Sequence, residues 1–233
     1  MAALSPATAG AHAFVPDLDD PRLDPDDHHH LARVLRLAPG SDVTVCDGRG
    51  RWRPARLTAG PEVEPRGDIV ADPRPDPPIT IAFALVKGER PELTVQKLTE
   101  LGADRIVPFV AERSVVRWDE AKAERQARRL TAIAREAAIQ CRRTWLPEVG
   151  EVVDFAAAAA LPGAVLADRE GVPPSLSQAV VLVGPEGGWA DAERAAGLPS
   201  VRIGTHVLRA ETAAITACAI LTAIRSEIVN ETE

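Results

Sequence analysis

The sequence predicts an α/β protein in which a small β-rich domain precedes a larger domain built on a parallel sheet. Short alternating segments fill residues 1–72, whereas apolar strands and helices follow one another in turn from residue 79 onward. Strands that alternate with helices form parallel sheets covered on both faces. Four prolines within residues 72–78 separate the two patterns, and such a stretch is extended and stiff. We therefore predict a first domain at 1–72, a linker at 73–78 and a second domain at 79–233.

The first domain is predicted to contain one short helix and a β-hairpin. The helix falls around residues 29–37 and ends at Pro39-Gly40. Segments 42–46 and 51–57 then alternate apolar and polar residues, and Asp47-Gly48 between them is typical of a hairpin turn.

The second domain is predicted to alternate strands with helices. The helix at 92–101 has Pro91 in its first turn and Gly102 at its carboxyl end, the positions that these residues favour. The last helix, at about 211–228, places apolar residues on one face. The other predicted elements are strands at 79–86, 105–110, 164–167, 180–183 and 201–203, a long helix at 119–141 and a helical segment at 156–160.

The composition favours a globular protein of the cytoplasm. Hydrophobic residues make up 45% of the 233 residues, and aromatic residues 3%, with no tyrosine to stack on bases. Cys46, Cys141 and Cys218 lie far apart without CxxC spacing, so neither a zinc site nor a disulfide framework is predicted. The chain shows no basic start followed by a long apolar run, so we expect neither a signal peptide nor a membrane span.

Charge is distributed unevenly along the chain. The net charge of −7 argues against a nucleic-acid partner, but residues 105–145 carry ten Arg or Lys against five acids. Residues 146–233 carry five against twelve. A second basic cluster consists of Arg49, Arg51, Arg53 and Arg56. Local basic surfaces suit phosphate contacts, although a solvated charged face explains the same pattern.

Two strand ends in the second domain predict a ligand cleft. The apolar run 180–183 leads into Gly184-Pro185-Glu186-Gly187-Gly188, whose glycines allow a ligand to approach the main chain. The strand at 201–203 ends at Gly204, and a helix follows. Parallel sheets bind ligands at the carboxyl ends of neighbouring strands.

The loop at 184–188 argues against the common nucleotide sites. It matches neither GxGxxG nor GxxxxGK followed by Ser or Thr, so a Rossmann site and a P-loop both lack their signature. Glu186 would also repel a pyrophosphate. An acid in a glycine-rich loop suits a neutral or cationic ligand, such as an adenosine linked to a sulfonium amino acid. A plain strand-to-helix turn is the alternative.

Arg209 and Glu211 flank the start of the last helix, and each has two interpretations. Glu211 suits the positive end of the helix dipole, and Arg209 can form a structural ion pair. Beside a cofactor cleft, Arg209 can also stabilise an anion that develops on a substrate. His28-His29-His30 does not predict a metal site, because consecutive helical residues point in different directions, and the segment is interpreted as a polar helix start.

Several short motifs occur along the chain. Each motif is weak by itself, but their order and spacing together are specific to one family. The motifs are 30–36, Asp47-Gly48, Lys87-Gly88, Gln96-Lys97, 100–102, 112–114, 140–143 with Pro147, 184–188 and 207–214. In these motifs the sequence resembles the bacterial ribosomal RNA methyltransferases that modify N3 of a uridine in small-subunit RNA, the RsmE family of the SPOUT class. The resemblance covers nearly the whole chain.

The resemblance implies a fold, a cofactor and a set of partners. The fold is a small PUA-like β-barrel followed by a SPOUT methyltransferase domain with a C-terminal trefoil knot, and the protein is a homodimer that acts on 16S ribosomal RNA. The cofactor is S-adenosylmethionine, and no metal is expected. The implied cofactor-binding residues are Leu166, Ala167, Gly184, Pro185, Glu186, Gly187, Ile203, Gly204, Val207, Leu208, Arg209, Thr212 and Ala213. The residues expected to contact RNA are Arg33, Arg36, Arg49, Arg51, Lys87, Lys97, Arg113 and Arg143.

Two positions depart from the family pattern. His206 replaces the usual Arg, which makes one cationic contact pH-dependent. Ala190 replaces a small polar residue that would cap a helix, so Asp191 is expected to supply the cap instead.

The chemistry implied by the resemblance assigns roles to two residues. A uridine N3–H must lose its proton, so we expect Arg209 to stabilise the uracil anion while Glu211 orients Arg209 or assists proton removal. The assembled small subunit is a candidate substrate because the basic surface is modest. The alternatives are a SPOUT methyltransferase for another RNA position or a ribose 2′-OH, and a non-catalytic RNA-binding assembly factor. A nicotinamide oxidoreductase lacks its glycine fingerprint.

Overall fold

The computed structural model describes residues 4–87 and 90–229, which form two compact units. The first unit extends to Arg74 and includes residues 138–146, and the second comprises the remainder. The boundary after Arg74 falls within the predicted linker. The assignment of 138–146 to the second domain differs from this division, because Ala138 is fully buried in a cluster with Phe14, Cys46 and Trp52. Gly88, part of one motif behind the resemblance, lies outside the described residues.

The first unit is built on one five-stranded sheet. Its strands are β1 (His12–Phe14), β2 (Asp42–Cys46), β3 (Arg51–Leu57), β4 (Val63–Pro65) and β5 (Val70–Ala71). The predicted hairpin is confirmed, since β2 and β3 pair antiparallel with Asp42 opposite Arg56 and Cys46 opposite Trp52. Strand β1, which has too few residues for a recognisable pattern, pairs parallel with β2.

The predicted helix at 29–37 begins earlier and ends sooner than expected. It consists of α1 (Pro25–His29) and a single π-helical turn, His30–Val34. Asp24 caps α1 by accepting a hydrogen bond from the Asp26 N–H at 2.9 Å, and proline suits the first helical position.

The second unit contains a seven-stranded parallel sheet. Its strands are β6 (Thr80–Ala84), β7 (Arg105–Val110), β8 (Glu148–Val149), β9 (Val153–Asp154), β10 (Ala164–Val172), β11 (Val180–Val183) and β12 (Ser200–Val201). The order is β12-β10-β11-β6-β7-β8, with β9 also paired to β7. The helices are α2 (Arg90–Leu101), α3 (Glu120–Gln140), α4 (Phe155–Ala159), α5 (Asp191–Arg194) and α6 (Ala210–Arg225). A short 3-10 turn spans Leu176–Gln178.

Both faces of this sheet are buried, as the alternation of strands and helices predicts. Ile81 and Phe83 of β6 belong to a core that includes Leu98 of α2 and Leu221 of α6. Ala82, from the opposite face of β6, belongs to a second core with residues of α4. Among the described residues, no helix is both long and apolar enough to cross a membrane. The trefoil knot stays a prediction.

Candidate active site

The strands β10, β11 and β12 lie side by side, and a cleft of about 220 Å³ opens at the carboxyl ends of β11 and β12, beside residues 167–169 within β10. Parallel pairing places β10 between the other two, so these β10 residues and the segments that follow β11 and β12 meet at one edge of the sheet. The ligand cleft predicted from the two glycine-containing strand ends is therefore present. The third contributor, β10, brings Ala167, Asp168 and Arg169 to the same space.

Trp189 fixes the glycine-rich loop against the sheet. Its side chain is 3% exposed and stacks on Phe109, with the ring centroids 6.2 Å apart. Its indole N–H donates to the carbonyl of Ala167 at 3.0 Å, which ties the loop after β11 to the end of β10. A Cβ at Gly184 would lie only 3.0–3.2 Å from the same ring, so any larger residue there would have to displace the indole by a few tenths of an ångström.

The segment 203–208 presents main-chain groups that a ligand can use. Among the described residues, no hydrogen bond joins the backbone of this segment to another protein group. Ile203, Gly204, Val207 and Leu208 nevertheless line the cleft. Backbone N–H and C=O groups require partners, so an unpaired run beside a cleft is suited to recognition of a polar ligand edge.

Arg90, at the start of α2, connects the two acidic residues of the site. Its Nη1 lies 2.7 Å from Oε1 of Glu186, and its Nε lies 3.6 Å from Oε1 of Glu211. The Glu211 side chain is 11% exposed, and its Oε2 is buried without a hydrogen-bond partner among the described residues. One guanidinium between two carboxylates leaves a net charge of −1, which favours a cationic ligand.

Arg209 has no ion-pair partner among the described residues, although a structural ion pair was one interpretation of it. Its residue is exposed, and no described residue pairs with its side chain. Its extended backbone begins α6, where its carbonyl accepts from the Ala213 N–H at 2.8 Å. The expected orientation of Arg209 by Glu211 is therefore wrong for this structure, because Glu211 pairs with Arg90 instead.

Nine of the thirteen predicted cofactor residues line the cleft. They are Ala167, Gly184, Pro185, Glu186, Ile203, Gly204, Val207, Leu208 and Ala213. Four do not: Leu166 is buried in the core, whereas Gly187, Arg209 and Thr212 are exposed beside the cleft. Sequence reasoning did not identify Trp189 and Arg194 as residues of the cleft. It also missed Arg90, which pairs with Glu186 of the glycine-rich loop.

The residues expected to contact RNA differ in their availability. Those with exposed side chains are Arg33, Arg36, Arg49, Arg51, Lys87 and Arg113. Arg113 donates to the Gly187 carbonyl at 3.2 Å, and Lys97 forms an ion pair with Glu100 at 2.7 Å. Arg143 is half-buried.

Two members of the second basic cluster have structural partners. Arg53 donates to the carbonyls of Leu18 and Gly67 at 3.1 and 2.6 Å. Arg56 lies 3.3 Å from the carboxylate of Asp42. Arg49 and Arg51 are the members of this cluster that remain available to a phosphate.

The two departures from the family pattern have different outcomes. His206 is exposed and lines the cleft, so the residue that replaces the usual Arg faces the ligand space. The expected cap by Asp191 is wrong, since Asp191 is the first residue of α5 and Ala190 is the N-cap. Glu193 compensates: its carboxylate accepts from the N–H groups of Ala190 and Glu112, both at 2.8 Å.

The cleft fits S-adenosylmethionine. A sulfonium and an ammonium group are cationic and suit the excess acid of the Arg90 cluster, while Ile203, Leu208 and Ala213 offer apolar contact to an aromatic base. The unpaired backbone of 203–208 can bind the polar edge of that base.

Comparisons with known proteins agree with this fit. An RNA methyltransferase domain model matches residues 73–222, and an RNA methyltransferase PUA domain model matches residues 23–62. The ribosomal RNA small subunit methyltransferase E of Mycobacterium bovis is 37% identical over 221 residues, which cover 84% of this chain and 83% of the relative. The protein of that name from Synechocystis is 34% identical, with 84% and 70% covered.

A solved structure has the same fold. It is the ribosomal RNA small subunit methyltransferase E of Neisseria gonorrhoeae bound to S-adenosyl methionine, with 28% identity and a TM-score of 0.75. The match covers 92% of this chain and 97% of that one. With this fold, this cleft and these relatives, the chain belongs to the family of ribosomal RNA small subunit methyltransferase E, with a PUA domain followed by an RNA methyltransferase domain.

Proposed function

We propose that this chain transfers a methyl group from S-adenosylmethionine to N3 of a uridine in 16S ribosomal RNA. The observation that carries the proposal is the cleft at the ends of β11 and β12, beside β10, in a chain that is 37% identical to a small-subunit RNA methyltransferase. S-adenosylmethionine supplies an electrophilic methyl group on a sulfonium. The protein must bind this donor, hold the uracil and stabilise the charge left when N3 loses its proton.

The donor is held by residues 167–169 of β10 and by the segments after β11 and β12. Gly184 and Gly204 line the cleft, where the missing Cβ atoms make room for Trp189 and Leu208, and Glu186 places negative charge near a cationic ligand. Trp189 makes the glycine-rich loop rigid through its hydrogen bond to Ala167. Sites whose supporting side chains are already packed lose little entropy when the ligand binds.

Arg209 is the residue we assign to the uracil anion. It lies between two cleft-lining residues, Leu208 and Ala210, and no described carboxylate neutralises its guanidinium. A preorganised cation near the developing negative charge lowers the barrier, and loss of one such donor typically costs about 10²–10³ in kcat. Arg209→Ala should therefore reduce kcat by about 10² while the Kd for S-adenosylmethionine stays unchanged. Full turnover in this variant would exclude the role.

Of the two tasks expected for Glu211, a contact with Arg90 replaces the orientation of Arg209, and help in proton removal stays part of the proposal. Its contact with Arg90 makes it part of the cluster that holds Glu186, and its buried Oε2 lacks a partner among the described residues. We assign Glu211 to positioning and, through its unpaired Oε2, to acceptance of the N3 proton. Glu211→Gln keeps the shape but removes the basic oxygen and one negative charge of the Arg90 cluster. It should lower kcat and also weaken S-adenosylmethionine binding.

We propose that the protein recognises its RNA mainly through contacts with the phosphate backbone. Arg33, Arg36, Arg49 and Arg51 are exposed on the first unit, and aromatic residues that could stack on bases are few. Binding that depends on phosphate contacts weakens steeply with salt. The net charge of −7 favours a preformed RNA shape, so we propose the small subunit as substrate, a homodimer as the active form and the cytoplasm as the location.

One experiment tests the proposed reaction. Labelled S-adenosylmethionine is supplied with naked 16S RNA or with intact small subunits that lack the modification, and the product is digested and mapped by mass spectrometry. We expect 3-methyluridine, with faster transfer to subunits than to naked RNA. Methyl on a ribose or on another base would support the other SPOUT activities. RNA binding without S-adenosylmethionine binding at millimolar concentration would support an assembly factor.

A further inference from the structure

A second cavity, of about 700 Å³, adjoins the cofactor cleft and is bordered by three arginines. Its residues include Arg169, Arg194 and Arg202, together with Gly204 and Thr205. We propose that this arginine pocket binds a backbone phosphate of the RNA next to the nucleotide that is methylated. The inference rests on the proposed function, since it names how the substrate of that site is held.

The position of these arginines is unusual for this part of the chain. Residues 146–233 contain only five Arg or Lys against twelve acids, and three of the five border this one cavity. A fourth, Arg209, lies beside the cleft at the start of α6. Asp168 and Glu170 border the same opening, so its five charged side chains carry a net charge of +1 within a segment that is acidic overall. A net positive opening in such a segment suits an anionic ligand.

The charges within the arginine pocket leave two guanidinium groups available. Arg194 is neutralised by Asp168, whose carboxylate lies 2.5 Å from its Nη1. Asp168 is itself fixed, because its other oxygen accepts from the Glu170 N–H at 3.2 Å. Arg169 and Arg202 are exposed, and no described residue forms an ion pair or hydrogen bond with either side chain.

Backbone contacts place Arg202 and Thr205 at the rim. The N–H of Arg202 donates to the Val172 carbonyl at 2.7 Å, which holds this residue at the end of β10. Thr205 follows in the segment 203–208, whose backbone has no protein partner among the described residues. Two guanidinium forks, one hydroxyl and free N–H groups are the donors that bind phosphate.

The neighbouring cleft identifies the phosphate as one from the substrate. Asp168, Arg169, Arg194 and Gly204 border both cavities, so the arginine pocket begins where the cofactor cleft ends. Enzymes that modify a base must draw it out of the stack into a pocket, which leaves its flanking phosphates at the pocket mouth. Glu170 and Glu186 make the region unsuitable for a free polyanion, whereas a single phosphate needs only the two unpaired arginines.

The test compares Arg169→Gln/Arg202→Gln with the wild-type protein. Binding of small subunits and of an RNA fragment is measured against salt concentration, alongside methyl transfer and calorimetric binding of S-adenosylmethionine. We expect KM for the subunit to rise about tenfold, and the slope of log affinity against log salt to fall by about 0.7, the value for one phosphate contact. The Kd for S-adenosylmethionine should stay within about twofold of wild type.

Arg128→Gln is the matched control. Arg128 lies on α3 with its side chain 73% exposed and has only a loose contact with Glu124, at 3.8 Å. A double variant with the KM and salt slope of this control overturns the proposal. A rise in the Kd for S-adenosylmethionine instead would assign the pocket to the cofactor carboxylate and also overturn it. If wild-type protein binds RNA with this arginine dependence but transfers no methyl group, the phosphate site stands and the proposed reaction fails.

Discussion

Acid should weaken the first unit because His12 is buried as a neutral imidazole. His12 is 2% exposed, and its Nε2 donates to the carbonyl of Arg143 at 3.2 Å while Nδ1 accepts from the Thr44 hydroxyl at 2.9 Å. Burial, with a smaller effect of the Arg142 charge, lowers the pKa of His12 from 6.5 to about 4, although the Arg143 hydrogen bond opposes the shift.

The sign and size of the effect follow from proton linkage. Between pH 6.5 and about 4, the unfolded chain binds a proton at His12 that the folded chain does not, so the free energy of unfolding falls as the pH falls. From pH 7 to pH 5, the two pKa values give a loss of about 2 kcal/mol. The full contribution is present above pH 6.5 and is lost as the pH approaches 4.

Urea unfolding at pH 7 and pH 5 measures this loss in wild type and in His12→Gln. The glutamine keeps a donor for the Arg143 carbonyl but does not titrate. The variant should be less stable than wild type at pH 7, and the difference should shrink by about 2 kcal/mol at pH 5. Carboxylates titrate in both proteins and cancel in the comparison. The reasoning is refuted if both proteins lose the same free energy between the two pH values.

Three further changes test the site and the core. Gly184→Ala forces the Trp189 ring to move and should lower the free energy of unfolding by about 1–3 kcal/mol, as measured by thermal unfolding. The same variant should bind S-adenosylmethionine more weakly, as measured by calorimetry. Arg90→Ala releases Glu186 and Glu211 and should lower kcat/KM by about tenfold. Arg90→Lys should recover part of the loss, and a kcat/KM equal to wild type in Arg90→Ala would show that these contacts do not support the site. Burial is the main cause that raises the pKa of Cys46 to about 12, so this thiol should resist iodoacetamide under native conditions. Half-buried Cys141 should react first, and mass spectrometry of the labelled peptides measures the order of reaction.

Local pattern predicted the elements that are long or strongly apolar. The strands at 105–110 and 180–183 have the bounds that the sequence indicated, because runs of β-branched residues in a parallel sheet are buried on both faces. Strand β8, Glu148–Val149, has only two residues and no period to detect. The sequence also did not predict that residues 138–146 belong to the first unit. The helical pattern of α3 is continuous and does not indicate that its last residues pack in a different unit from its first.

The same limit applies to the candidate site. Glycines and acids near strand ends were visible as motifs, and the cleft they form was predicted correctly. Arg90 was not, because it pairs with Glu186 across 96 positions and only the folded sheet brings α2 to the loop after β11. The contact between the Glu112 N–H and the Glu193 carboxylate was likewise not predictable, because it joins residues 81 positions apart.

The position of Arg90 determines which charged groups of the site are paired and which are left unpaired. Had Glu211 paired with Arg209, the cation nearest the expected uracil anion would have been largely neutralised. Arg90 holds Glu211 and Glu186 instead, so these two carboxylates share one guanidinium and carry the excess negative charge that suits a cationic donor. Arg209 therefore keeps a positive charge that no described carboxylate neutralises. An uncompensated cation is what the uracil anion of the proposed reaction requires.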